Sequence, residues 1–178
     1  MITKHPKNIH LLLDDYAGPD SELTAILQYF HHYFVVKHKD VAQMLEKFSL
    51  NEMQHFEMLG HILEQYGIDP RVYDSNRRYW SGADVNYQYK VCDILQVNLQ
   101  GELGAISNYY QRINQIPVPE VQEILLQIIN DEIGHVQGLT KMIGKYCPHF
   151  RTHDWLKEEF KKFSFTQEIQ DKLLTQLK

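Results

Sequence analysis

Apolar residues recur at spacings of three and four along most of the chain, and nowhere is a period-two alternation sustained. That pattern predicts helices and argues against strands. Prolines at 6, 19, 70, 117, 119 and 148 leave three long proline-free stretches, 20–69, 71–116 and 120–147. A proline inside a helix costs about 3 kcal/mol, so long helices are expected in these stretches. The first stretch is too long for one helix of a compact domain. It is expected to break at the polar triplet His38-Lys39-Asp40, with Asp40 as N-cap of a second helix running to about Tyr66, where Gly67 and Pro70 stop it. From Ile68 to about Asn86 the chain is polar and aromatic with no helical period, which suits a crossover spanning a bundle. A third helix is expected from about Tyr87 to Asn114, a tight turn at Ile116-Pro117-Val118-Pro119, a fourth helix to about Tyr146 and a shorter helical piece from Thr152. The expected architecture is all-α: one domain over 1–178, with two helical hairpins joined by one long crossover at about 8–147 and a short C-terminal helical extension at 148–178.

The hydrophobic seams repeat. Val41, Leu45, Phe48, Glu52, His55, Leu59, Ile62 and Tyr66 are spaced 4-3-4-3-4-3-4, and Val121, Leu125, Ile128, Glu132, His135, Leu139, Met142 and Tyr146 follow with the same spacing at an offset of 80 residues. Such spacing marks the buried face of a bundle helix. The same offset maps ELTAILQY, from Glu22 to Tyr29, onto ELGAISNY, from Glu102 to Tyr109, with five of eight positions identical. A helical hairpin occurs twice, so a pseudo-two-fold axis is expected through the bundle.

Composition narrows the classes. With 178 residues, 43% hydrophobic and 23% charged, the chain is large enough for one full core. A net charge of −5 with no basic run longer than two gives no footprint for nucleic acid. The longest unbroken apolar run, Tyr33 to Val36, is too short for a membrane span, and the first twenty residues lack the apolar segment of a secretory signal, so a cytoplasmic location is expected. Cys92 and Cys147 form no CxxC pair, which removes zinc-ribbon and rubredoxin-type modules.

The seam itself carries the chemistry. Glu22, Glu52, Glu102, Glu132, His55 and His135 all fall at core-facing positions. Burying unpaired carboxylates is expensive. Each Glu-x-x-His pair is separated by about 4.5 Å along a helix axis, so both side chains reach one ion. Two divalent cations would neutralise the four carboxylates, and a carboxylate-rich set with one imidazole per ion suits manganese or iron. One Glu-x-x-His motif would mean little by composition; two on the seam at a single offset, each with an equivalent Glu-bearing partner helix, point to a built site. Asn51 and Asp131, each just before a motif glutamate, are either partners for the outer imidazole nitrogens or exposed helix residues. Tyr29 and Tyr109, on the same seam, are either hydrogen-bond donors to the carboxylates or core filler.

One Glu from each of two helices and Glu-x-x-His from each of the other two is the arrangement of the ferritin-like dinuclear carboxylate proteins, and the chain resembles that superfamily over about residues 8–147. Within it, GPDSELTAILQY and NEMQHFEMLG look most like small manganese-catalase-type proteins associated with spore coats, and next most like the helical domain of rubrerythrins. The resemblance implies a ferritin-like four-helix bundle in which Glu22, Glu52 and His55 ligate one metal, Glu102, Glu132 and His135 the other, with Glu52 and Glu132 bridging. It implies a peroxide-consuming oxidoreductase of catalase or peroxidase type that takes hydrogen peroxide or dioxygen as substrate, with a separate electron donor in the peroxidase case. A homo-oligomer, dimer or larger, and a spore-associated cytoplasmic setting go with it. Ferroxidase activity with iron storage and a non-catalytic metal-stabilised structural role are the alternatives.

The remaining features read as bland. His31, His32 and His38 are expected at the surface, Cys92 as a buried structural thiol about 15 Å along the axis from Glu102, and Lys157–Lys162 as a solvated helix face. Trp80 and the crossover tyrosines are expected to cover the bundle or build an oligomer contact.

Overall fold

The computed structural model describes residues 6–163 and 165–175. After a 3-10 turn at Ile9–Leu11 come α1 (Leu12–Ala17), α2 (Glu22–Val35), α3 (Lys39–Gln65), α4 (Val91–Gln115), α5 (Pro119–Tyr146), α6 (Thr152–Lys162) and α7 (Gln167–Thr175). Helices α2 and α3 form one hairpin and α4 and α5 the other, as the repeat predicts. Among the described residues the only β pairing is an isolated bridge between Tyr73 and Tyr79 in the crossover.

Local chemistry sets the helix ends. Ser21 caps α2 by accepting the Thr24 backbone N–H at 3.4 Å. Helix α3 closes on Gly67, whose φ of 70° places it in the left-handed region. There Ile68 N–H donates to the Leu63 carbonyl and Gly67 N–H to that of Glu64, both at 2.8 Å. Pro119 opens α5 at a position where its missing N–H costs nothing.

The short helix α1 was not expected from the pattern, and the repeat explains it. Shifted by 80 residues, α1 and α2 together overlay the single helix α4. The first copy is broken at Gly18-Pro19, where a Cβ on residue 18 would stand 2.5 Å from the Asp14 carbonyl oxygen.

Several expectations need correction. Asp40 lies inside α3 and does not cap it; His38 occupies the cap position without a side-chain bond. Asp40 instead accepts from Lys145 Nζ and the Tyr146 hydroxyl, each at 2.7 Å, tying the start of α3 to the end of α5. The third long helix begins at Val91, not near Tyr87. The segment before it is held extended because Asn86 N–H donates to Gln28 Oε1 and the Asn86 carbonyl meets His32 Nε2. The extension forms two helices, and its charged stretch is not wholly solvated: Glu159 and Phe160 are each 1% exposed.

Cys92 is no thiol. It is joined to Cys147 in a disulfide that clasps the start of α4 to the end of α5. The antiparallel pairing of α4 and α5 brings these two helix ends together, a proximity that residues 55 apart do not advertise.

Candidate metal centre

The seam pattern places six ionisable side chains at mid-bundle, all buried. Glu22 enters from the first turn of α2, Glu102 from the middle of α4, Glu52 and His55 from α3, and Glu132 and His135 from α5. The structure brings together all six residues that the sequence singles out.

Their geometry obeys the repeat. His55 Nδ1 lies 2.8 Å from Glu52, 3.1 Å from Glu132 and 3.6 Å from Glu22. His135 Nδ1 lies 2.9 Å from Glu132, 3.0 Å from Glu52 and 3.4 Å from Glu102. Two overlapping clusters result, Glu22-Glu52-His55-Glu132 and Glu52-Glu102-Glu132-His135, with the donor atoms of each within 4.8 Å of one another. Glu52 and Glu132 belong to both, which is the place of bridging carboxylates.

The supporting groups are exchanged between halves. His55 Nε2 faces Asp131 Oδ2 at 3.3 Å, and His135 Nε2 faces Asn51 Oδ1 at 3.0 Å. An acceptor on Nε2 fixes the proton there and turns the Nδ1 lone pair into the cluster. The Tyr29 hydroxyl donates to Glu102 and the Tyr109 hydroxyl to Glu22, again each from the opposite hairpin. Both tyrosines therefore hold carboxylates and are not mere filler.

Such a cluster is unfavourable as bare protein. Burial pushes Glu22 and Glu102 well above the usual carboxylate range, reinforced by the charges of Glu52 and Glu132 respectively. Burial opposes charge on His55, yet its hydrogen bonds to Glu132, Glu22 and Glu52 hold its proton far above the ordinary imidazole range. Burial likewise opposes charge on His135, and the charges of Glu102 and Glu52 overcome it. Glu132 shows the converse: burial would raise it, but the imidazoles of His135 and His55 beside it pull it below the carboxylate range. Positive charge is required at two points, and in the bare protein protons supply it.

The donor set fits a pair of metal ions. Glu52 Oε1, Glu132 Oε2 and His135 Nδ1 are buried without an aligned hydrogen-bond partner, although each lies in the shared cluster. Buried polar atoms are rarely left so, and orphans that converge on one point are ready-made ligands. Carboxylate oxygens with one imidazole per position suit manganese or iron and not a thiolate-seeking metal.

A cavity of about 460 Å³ between α2 and α4 reaches the four glutamates. The histidines are absent from its lining.

Sequence reasoning missed His32. It is fully buried, with Nδ1 accepting from Asn98 Nδ2 at 3.0 Å and Nε2 at 3.1 Å from the Asn86 carbonyl. Burial lowers its pKa to about 4, helped by the neighbouring His31. One of its two partners is crossover backbone, which no side-chain spacing announces. Trp80 does cover the bundle, its indole N–H donating to the Thr24 hydroxyl at 2.9 Å.

A family model described as the ferritin-like domain matches residues 20–146. The structure is similar to that of KatB, a manganese catalase from Anabaena, with a TM-score of 0.73, 25% identity, and coverage of 82% of this chain and 76% of that one. A second structure of KatB, from Anabaena PCC7120, gives a TM-score of 0.72 with 26% identity, covering 77% and 70% of the two chains. The fold is also shared with a dodecameric thioferritin, the bacterioferritin-related protein from Bacteroides fragilis, at a TM-score of 0.65 and 20% identity over 81% of this chain and 90% of that one. A search of curated protein sequences gives no significant match.

Proposed function

The chain belongs to the ferritin-like domain family, and from that premise we propose that it is a dinuclear-metal oxidoreductase that consumes hydrogen peroxide by dismutation. Glu22, Glu52 and His55 hold one ion and Glu102, Glu132 and His135 the other, with manganese as the first candidate and iron as the second. The observation that carries the reading is the symmetry of the centre: both histidines are kept, both are oriented from outside, and two glutamates sit in both clusters. The likeness to a manganese catalase at 25–26% identity supports it.

Two redox-active ions side by side supply the electron pair that peroxide chemistry exchanges. The protein does the rest. Asp131 and Asn51 fix the imidazole tautomers, and Tyr29 and Tyr109 hold Glu102 and Glu22 in place through hydroxyl protons aimed at Oε1 of each. Dismutation, 2 H2O2 to O2 and 2 H2O, needs no outside donor, since peroxide is both oxidant and reductant. A peroxidase would need a separate electron donor, and the two cysteines of the chain are tied to each other.

Iron oxidation with storage is the second reading, favoured by Asp20, an exposed acid in the cavity lining that would draw ferrous ions. We also infer a homo-oligomer, supported by the exposed apolar positions Leu27, Phe34, Leu50 and Met53. The deciding experiment is oxygen evolution from hydrogen peroxide by apo, manganese-loaded and iron-loaded protein. Rapid evolution with manganese is expected; silence with both metals, together with rapid oxidation of ferrous iron, would give the second reading.

A further inference from the structure

The cavity beside the centre is far larger than hydrogen peroxide needs. Its volume is about 460 Å³, whereas a water molecule occupies about 30 Å³ in the liquid. It falls in the range of pockets that hold organic molecules of some size, roughly 300–1,000 Å³. The space follows from the repeat. Across the cavity Glu22 answers Glu102, Ala25 answers Ala105 and Gln28 answers Asn108, each pair at the same offset, so the opening lies on the pseudo-two-fold axis and leads to both halves of the centre alike.

Small residues on α4 keep it open. At Gly101, an exposed position on the lining, an added Cβ would meet nothing within 4 Å, so the missing side chain leaves empty room. A helix-interior glycine costs about 1 kcal/mol relative to alanine, and packing does not demand this one.

The extension adds an apolar wall. Phe163 at the end of α6 lines the cavity, and its ring comes to 3.7 Å from where a Cβ on Gly104 would be. Its backbone is fastened there, since the Ser107 hydroxyl donates to the Phe163 carbonyl at 3.4 Å. The chamber thus offers an aromatic face, carboxamides and carboxylates, those of the centre together with Asp15, Asp20 and Asp84. Among the described residues no Lys, Arg or His lines it. An anionic molecule would find no counter-charge; a neutral one with an apolar body and a polar end finds both surfaces.

We propose that the centre also reduces neutral organic hydroperoxides, with the organic group seated between Phe163 and the space above Gly101. This rests on the peroxide-consuming reading above. The balanced reaction is ROOH + H2O2 → ROH + H2O + O2: the O–O bond of the organic hydroperoxide breaks and takes up two electrons and two protons, and hydrogen peroxide gives up the same two electrons and two protons and leaves as dioxygen. Gly101 and Phe163 are specificity-determining residues for the organic partner.

The test uses the full chain loaded with manganese and given cumene hydroperoxide, with and without hydrogen peroxide. The expected result is cumyl alcohol formed only when hydrogen peroxide is present, with one dioxygen released for each hydrogen peroxide spent on the alcohol, twice the yield of dismutation. In Gly101→Leu the ratio of organic to hydrogen peroxide turnover falls at least tenfold with metal content intact, and leucine at this open helix position carries no folding penalty. In Phe163→Ala the KM for cumene hydroperoxide rises several-fold. Calorimetric titration with cumyl alcohol gives a readout apart from turnover: binding to the parent protein that Gly101→Leu loses. A 4-carboxy derivative of cumene hydroperoxide is expected to react at least tenfold more slowly. Normal consumption of hydrogen peroxide with no cumyl alcohol formed overturns this proposal and leaves the peroxide reading standing. Consumption of neither peroxide overturns both.

Discussion

On the α2–α3 hairpin, positions 27, 50 and 53 are Leu, Leu and Met, exposed by 40, 51 and 48%. Their counterparts 80 residues later are Ser107, Asn130 and Ile133. Ser107 and Ile133 are only 7% and 3% exposed, and Asn130 receives Lys172 of α7. The hairpin ends differ as well. The α4–α5 hairpin is clasped by Cys92–Cys147; the equivalent positions on α2–α3 are Leu12, buried in α1, and Gly67, the left-handed stop of α3. Inside, however, the two copies agree to within a few tenths of an ångström at every imidazole–carboxylate approach. A duplicated hairpin keeps what both halves must supply jointly and is free to diverge where each meets something different.

The largest break in this comparison comes from inside it. Because Glu52 and Glu132 belong to both clusters, Glu52→Ala and Glu132→Ala should have equal effects: each loses both ions and lowers peroxide turnover at least about a hundredfold, measured by oxygen evolution and metal analysis. Unequal losses would mean that the halves are not equivalent.

Next is the clasp. Closing a 55-residue separation should contribute up to about 4 kcal/mol through the restricted unfolded chain. Cys92→Ser or chemical reduction should therefore lower the denaturant midpoint markedly, as read by circular dichroism. Outer-face burial follows at about 3 kcal/mol: Ile133→Ala leaves a cavity, while Met53→Ala at the matching exposed position should cost under about 0.5 kcal/mol.

The last effect concerns the crossover and shows only as the pH falls. The folded pKa of His32 is about 4, below the free value of 6.5, so between these values the folded state binds fewer protons than the unfolded one. Stability contributed by the neutral ring is whole above pH 6.5 and falls as the pH drops towards 4, by up to about 3 kcal/mol. Urea titrations across that window should give a flatter dependence for His32→Gln than for the parent.

What could be read from the sequence follows the same divide. The seam residues lie on regular helices, so spacing alone places Glu22, Glu52, His55, Glu102, Glu132 and His135 together; Asn51 and Asp131 stand out as candidates by position, but which imidazole each meets across the hairpins shows only in the structure. The features that escaped it depend on irregular chain. His32 is buried by the crossover backbone, Cys92 meets Cys147 only because two helix ends converge, and α1 hides behind the Gly18-Pro19 break. Asp40 looked like a cap because its local context fits one; its partners come from α5, 105 and 106 residues away.

The central claim is one symmetric centre for two ions, and metal content tests it most directly. The parent protein, reconstituted with manganese and freed of excess, should retain two ions per chain, and Glu22→Gln and Glu102→Gln should each weaken one position to the same degree, leaving close to one. Retention of a single ion by the parent, or undiminished stoichiometry in both variants, would contradict the account.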